Sequence, residues 1–114
     1  MSAASNEMIS ISVFQGKIQD DANANLEKTI EQLTIAESRG IDILCMPESF
    51  LHGYYKSKKD ALTHSIELDS KAYSKILERL RPFKKTTLLL GINERCGNDI
   101  FNTVVVIENG QHIG

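Results

Sequence analysis

The residues best suited to chemistry lie in one stretch, ILCMPESFLHGYY, at residues 43–55. Its apolar start at 43–46 predicts a buried strand, Pro47 ends that strand, and Glu48 follows at once. In open α/β sheets, reacting groups gather at the carboxyl ends of the strands. A carboxylate there, partly shielded from water by apolar neighbours, suits general-base work. We therefore take Glu48 as the candidate catalytic residue and Tyr54 as a candidate for the wall of a substrate pocket.

A structural role for Glu48 is an open alternative at this stage. Its carboxylate could cap the loop that follows the strand, or pair with a nearby cation such as Lys56. Strand-end acids often serve such roles, and position alone does not decide between the two interpretations.

The cysteines and histidines offer no second catalytic group or metal site from spacing alone. Cys45 falls in the predicted core strand, where a thiol usually acts as a small apolar side chain, and Cys96 falls in a predicted turn. His52, His64 and His112 lack metal-ligand spacing and are predicted to lie at the surface. We expect neither a metal ion nor an organic cofactor.

The elements that position Glu48 follow from hydrophobic periodicity and turn signals. The sequence predicts the order β-α-β-loop-α-β-β, which implies a parallel strand pair followed by a hairpin in a mixed sheet. Strand 41–46 is apolar on both faces, so we expect it to be central and covered on both sides. The predicted strands are 8–14, 41–46, 86–95 and 100–108, and the predicted helices are 20–40, 70–80 and a short one near 60–65.

The end of the chain carries a strong turn signal. Asn109-Gly110 is typical of a two-residue hairpin loop, yet only four residues follow it. We interpret residues 1–114 as a single domain that is cut short, the front part of a longer protein.

Composition excludes several classes of function. The 114 residues are 41% hydrophobic and 25% charged, with a net charge of −2, which is ordinary globular composition. This balance favours neither nucleic acid nor membrane as a partner. The start, MSAASNEM, lacks the features of a signal peptide, and two cysteines do not make a disulfide framework, so we expect a cytoplasmic protein.

Three ordered pieces of the chain resemble the carbon-nitrogen hydrolase, or nitrilase, superfamily. They are ISVFQGKIQDDANANLEK, AESRGIDILCMPESFLHGY and LLLGINERCGNDIFNTVVVIENGQHIG. The resemblance implies an α/β fold, the N-terminal part of an α-β-β-α sandwich with a mixed sheet and flanking helices. It also implies a Glu-Lys-Cys triad in which Glu48 is the general base, while the lysine and cysteine would come from sequence beyond Gly114.

The activity implied by the resemblance is hydrolysis of a non-peptide C–N bond in a small amide or nitrile. We expect homo-oligomers, and we expect the 114-residue chain to be inactive alone. Asn102 matches the asparagine of the family's Tyr-Asn-Thr pattern, with Phe101 in place of the tyrosine, and is predicted to support the sheet end. Glu94 matches an acidic residue that recurs in the family. We predict that it does not contact the substrate, and that its closest role is to support residues that do.

Two other functions are compatible with the sequence. A metal-dependent phosphoesterase of αββα architecture also places a glutamate after an apolar strand, but it needs an asparagine near the position of Gln15. A non-catalytic fragment that acts as an interaction module would expose an apolar sheet face and self-associate.

Overall fold

The computed structural model describes residues 8–114, so most of the N-terminal MSAASNEM lies outside the described residues. Its five strands form one sheet in the order β1-β2-β3-β4-β5. β1, β2 and β3 are parallel, and β3, β4 and β5 are antiparallel, which confirms the predicted mixed sheet. The elements are β1 (Ile11–Val13), α1 (Ala22–Ser38), β2 (Ile43–Cys45), α2 (Lys58–Thr63), α3 (Lys71–Leu80), β3 (Thr87–Cys96), β4 (Asp99–Glu108) and β5 (Gln111–His112).

Helix α1 lies within the predicted range 20–40 and is capped at its first turn. The Asp21 side chain accepts a hydrogen bond from the backbone N–H of Asn23 at 2.9 Å, which satisfies one of the free donors of the first turn. Gly40 follows the last turn with φ +68°, a conformation that costs a glycine little. No helix among residues 8–114 is long and apolar enough to cross a membrane.

Glu37, near the end of α1, ties this helix to the start of β3. Its carboxylate accepts backbone N–H bonds from Lys84, Lys85 and Thr86 at 3.3, 2.8 and 2.6 Å. Partial burial alone would raise the pKa of Glu37, but these hydrogen bonds to the charged form outweigh it and lower the pKa. These hydrogen bonds fix the position of the start of β3 relative to the end of α1.

The two faces of the sheet differ in packing, although both are apolar. We call the face that meets α1 and α3 the covered face; its buried side chains are Leu44, Leu88, Leu90, Ile92, Val105 and Ile107. The opposite, open face carries a row of registered residues, Val13, Cys45, Leu89 and Val106. Val13 in this row is 65% exposed, and the turn that follows β2 covers the same face only at Gly91 and beyond.

The prediction that β2 is covered on both sides is therefore wrong within the described chain. Leu44 on the covered face is buried, whereas Ile43 and Cys45 on the open face remain half-exposed. The apolar pattern of β2 indicates that the side chains on both faces favour apolar neighbours. It does not identify the element that supplies those neighbours.

The Asn-Gly turn forms as predicted. Asn109 and Gly110 have φ of +57° and +69°, and β5 turns back so that His112 pairs with Ile107. Both turn positions thus adopt the left-handed backbone that this hairpin loop requires.

Candidate active site

A tight turn at the end of β2 carries Glu48. Phe50 donates its backbone N–H to the Pro47 carbonyl at 3.1 Å, which closes the turn, and Ser49 within it has φ +53°. The next residue, Leu51, donates its N–H to the Gly91 carbonyl of β3 at 3.1 Å. The turn is thus tied to the middle of the sheet.

Gly91 allows the turn to lie directly on β3. A Cβ atom at this position would stand 2.4 Å from the Pro47 carbonyl oxygen and 2.6 Å from the Ser49 nitrogen. Both contacts are with backbone, which cannot rotate away as a side chain can. The absence of a side chain at Gly91 therefore determines where the Glu48 carboxylate stands.

The Glu48 side chain is exposed, and its nearest polar partner is on β4. The Asn102 side-chain amide donates a hydrogen bond to the Glu48 carboxylate. Because Val104 and Asn102 lie on the open face, the carboxylate is held at the border of that face. The Tyr54 hydroxyl donates to the Glu48 backbone carbonyl at 3.3 Å, so Tyr54 lies beside the candidate site as well.

The Glu48 side chain is exposed, whereas the sequence predicted that apolar neighbours would partly shield its carboxylate from water. Those neighbours, Met46 and Phe50, turn toward the covered face and the core. The alternative ion pair with Lys56 is absent from the described residues, since none of their ion pairs includes Glu48.

Asn93 holds the loop that follows the turn. Its side-chain amide donates to the carbonyls of Gly53 and His64 at 2.9 and 3.1 Å, and its backbone N–H donates to His52 Nδ1 at 3.3 Å. Asn93 pairs directly with Asn102 across β3 and β4. These two neighbouring asparagines therefore hold the loop and the Glu48 carboxylate respectively.

His52 corrects the prediction that all three histidines are surface residues. Its side chain is only 8% exposed, and its ring Nδ1 accepts a hydrogen bond from the backbone N–H of Asn93 on β3. Burial and the nearby His64 lower the pKa of His52 to about 4, so the ring is neutral at pH 7. Local sequence gave no signal for this position, because the partner lies on β3.

Glu94 is not brought to Glu48. It accepts a hydrogen bond from the Thr103 hydroxyl at 2.8 Å, and Cys96 Sγ lies 3.6 Å from its other oxygen. Along β3, Glu94 follows Asn93 and so projects on the covered-face side, away from Asn102. This acid serves the end of the β3–β4 hairpin.

Neither cysteine forms a hydrogen bond with Glu48 in the described chain. Cys45 lies in the registered row on the open face. Cys96 is exposed at the end of β3, and desolvation, its contact with Glu94 and nearby acidic charges raise the pKa of its thiol. A raised pKa disfavours the thiolate, which is the nucleophilic form.

Residues 8–114 contain no cluster of three or more acidic, histidine or cysteine side chains that could hold a metal ion. Among the described residues, the polar groups of the site are thus the Glu48 carboxylate, the Asn102 side-chain amide and the Tyr54 hydroxyl. This set can accept a proton and orient a polar ligand. It contains no activated nucleophile of its own.

Known proteins show similarity over nearly the whole chain. A glutamine-dependent NAD(+) synthetase from Thermotoga maritima is 32% identical over 94 residues, which is 82% of this chain and 16% of that protein. The chain thus spans about a sixth of this curated relative.

Solved structures share the fold at low identity. A glutamine-dependent NAD+ synthetase from Acinetobacter baumannii has a TM-score of 0.72 at 22% identity, over 91% of this chain and 19% of that one. A CN-hydrolase superfamily protein from Xanthomonas campestris has a TM-score of 0.71 at 17% identity, over 90% and 38%. The fold prediction, part of a nitrilase-type α-β-β-α sandwich, is confirmed. Because residues 10–114 match the carbon-nitrogen hydrolase family, the chain belongs to that family.

Proposed function

We propose that Glu48 is the general base of a carbon-nitrogen hydrolase that cleaves a small, non-peptide amide. The observation that carries the proposal is the fixed position of this carboxylate in a chain of the family. Gly91 seats its turn on β3, and Asn102 on β4 holds its side chain. An acid with only a capping role would have no need of an amide donor from a distant strand.

The chemistry follows from the triad that family membership implies. Glu48 would take the proton of a cysteine thiol supplied by another part of the protein, and the thiolate would attack the amide carbon. A lysine would stabilise the negative charge on the former carbonyl oxygen. The proton held by Glu48 would pass to the departing amine, which leaves a thioester. Glu48 would then take a proton from water, and the resulting hydroxide would attack the thioester carbon. The C–S bond would break to release the acid, and Glu48 would return its proton to the departing thiolate.

Asn102 and Tyr54 have supporting roles in this proposal. The Asn102 amide donates to the charged form of Glu48 and so orients the oxygen that accepts the proton. Tyr54, whose hydroxyl meets the Glu48 carbonyl, would form part of the pocket wall. We classify Asn102 as a positioning residue, since it acts through Glu48.

For the substrate we propose a primary carboxamide, with the side-chain amide of glutamine as the first compound to test. The support is the 32% identical relative, whose name is glutamine-dependent NAD(+) synthetase. A nitrile remains the second candidate, because attack of a thiolate on a nitrile carbon uses the same base. Homo-oligomers and a cytoplasmic location are further proposals that await measurement.

The test uses the full-length protein that carries this sequence. Ammonia release from glutamine would be measured for the parent, Glu48→Gln and Asn102→Ala, with circular dichroism to verify folding. We expect kcat to fall about 10³-fold in Glu48→Gln, the scale of a general base. Asn102→Ala should lose less, about tenfold, and the loss should fall on kcat with KM unchanged, because Asn102 orients the base and does not touch the substrate.

Two outcomes would contradict the proposal. Retention of amide and nitrile hydrolysis by a folded Glu48→Gln protein would remove Glu48 from the mechanism. Mg²⁺-dependent cleavage of a phosphodiester, lost in the same variant, would instead support the phosphoesterase alternative.

We also propose that the 114-residue chain alone does not hydrolyse amides. Neither of its thiols is hydrogen-bonded to Glu48, and the pKa of Cys96 is raised. Steady turnover of glutamine by the purified chain, abolished by Glu48→Ala, would contradict this.

A further inference from the structure

A groove on the helical side of the molecule is separate from the Glu48 surface. It lies between the first turn of α1, helix α3 and residues 63–66, and has a volume of about 790 Å³. Its lining does not include Glu48 or Asn102. The apolar side chains that line it are Ala22, Leu26, Leu51, Ile66, Ala72 and Ile76.

His52 presents an unpartnered N–H donor to this groove. The ring lines the groove although it is only 8% exposed. Its Nδ1 accepts the Asn93 backbone N–H, so the proton of the neutral ring is on Nε2. Nε2 has no hydrogen-bond partner among residues 8–114, yet no fully buried side-chain nitrogen there lacks one. Nε2 is therefore not fully buried, and the ring that carries it lines the groove.

His64 presents the complementary group. Its Nδ1 lies 2.9 Å from the Asp60 carbonyl, which can only accept, so Nδ1 carries the proton and Nε2 keeps a free lone pair. The ring stacks on Tyr55 with centroids 4.2 Å apart and planes 12° apart, which restricts its rotation. His64 lines the same groove, and its charge influences His52, so the two rings are neighbours.

The charges at the rim of the groove balance. Arg79 is paired with Glu27 at 2.6 Å, and Lys75 and Glu78 contribute one charge of each sign. The groove therefore favours a neutral ligand over an ion. Its apolar lining favours a ligand with a hydrocarbon or aromatic body.

We propose that this groove binds a small neutral molecule that combines an apolar body with a carboxamide group. His52 Nε2–H donates to the carboxamide oxygen, and His64 Nε2 accepts from the carboxamide N–H. The apolar body lies against Leu26, Ile66 and Ile76. This site is distinct from the Glu48 site and does not depend on the proposed hydrolysis.

The test is a titration of the 114-residue chain with hexanamide, followed by methyl and imidazole NMR. We expect saturable shifts at Ile66, Ile76 and the two imidazoles, and none at Val104 or Val106 on the open face. His52→Phe and His64→Phe each keep an aromatic ring and remove one polar partner, so each should weaken binding about tenfold. His112→Phe, a histidine on β5 that contacts Tyr73, is the matched control and should bind normally.

Two further measurements keep the proposal open to refutation if His52→Phe fails to fold. Ala72→Trp, at an exposed position of α3, should fill the groove and abolish binding. 2-Heptanone, which has the acceptor but no N–H, should bind about tenfold more weakly than hexanamide. Shifts confined to the open face, equal binding of the ketone and the amide, or full binding by Ala72→Trp would each overturn the proposal.

Discussion

The two faces of the sheet use the same strands and similar side chains, yet only one of them is packed. Leu90 on the covered face is 0% exposed, whereas Val104, opposite Gly91 on the open face, is 53% exposed. The covered face owes its burial to α1 and α3, which lie within the described chain. The open face carries the residue that holds Glu48, namely Asn102. Stability and candidate chemistry are therefore separated onto opposite sides of the sheet.

The largest expected contrast is between one substitution on each face. Leu90→Ala should lower the free energy of unfolding by about 2–5 kcal/mol, because it leaves a cavity in packed surroundings. Val104→Ala should cost less than about 1 kcal/mol, since only strand propensity is lost. Urea unfolding followed by circular dichroism measures both. Equal losses would mean that the open face is covered in solution, for example by self-association of the chain.

Gly91→Ala tests the point where the open face meets the Glu48 turn. The new methyl group would press on the Pro47 and Ser49 backbone, so we expect a loss of about 1–3 kcal/mol in unfolding free energy. The Asn102 side-chain amide signal should also move in NMR spectra, because the turn must shift away from β4. Val104→Ala is the matched control. An unchanged Asn102 signal would show that Gly91 does not position Glu48.

His52 should make stability depend on pH. Its pKa is about 4 when folded and about 6.5 when unfolded, so the unfolded state binds a proton first as pH falls. The wild type should therefore lose about 2–3 kcal/mol of unfolding free energy from this group between pH 7 and pH 4.5. His52→Phe should lack this component, and His112→Phe should retain it. Identical pH dependence in wild type and His52→Phe would refute the assignment.

The smallest effect concerns the thiols and should leave stability unchanged. The pKa of Cys96 is raised by desolvation, by its contact with Glu94 and by nearby acidic charges. Iodoacetamide should thus modify Cys96 more slowly at pH 7.5 than it modifies free N-acetylcysteine, as followed by mass spectrometry with Cys96→Ser as control. Faster modification would point to an activated thiol and reopen its role as a nucleophile.

Local signals in the sequence predicted the elements well. The Asp21 cap of α1 and the Asn109-Gly110 turn need only neighbouring residues, and the turn is as predicted. The position of Glu48 at a strand end also followed from its local context. The features that the sequence did not predict depend on contacts between residues far apart in the chain. The Asn102 bond to Glu48 requires the register of β4 and the turn over Gly91, and the burial of His52 requires Asn93.

The long β3–β4 hairpin has a consequence for the order in which the chain folds. Its strands are joined by a two-residue turn, from Cys96 to Asp99, whereas β1–β2 and β2–β3 pair residues far apart in the chain. Short loops close at lower entropic cost, so we expect the hairpin to form early. The turn that carries Glu48 would then acquire its shape late, since it is built upon Gly91. Pulse-labelled hydrogen exchange should show the Leu51 N–H protected after those of β3, and earlier protection would exclude this order.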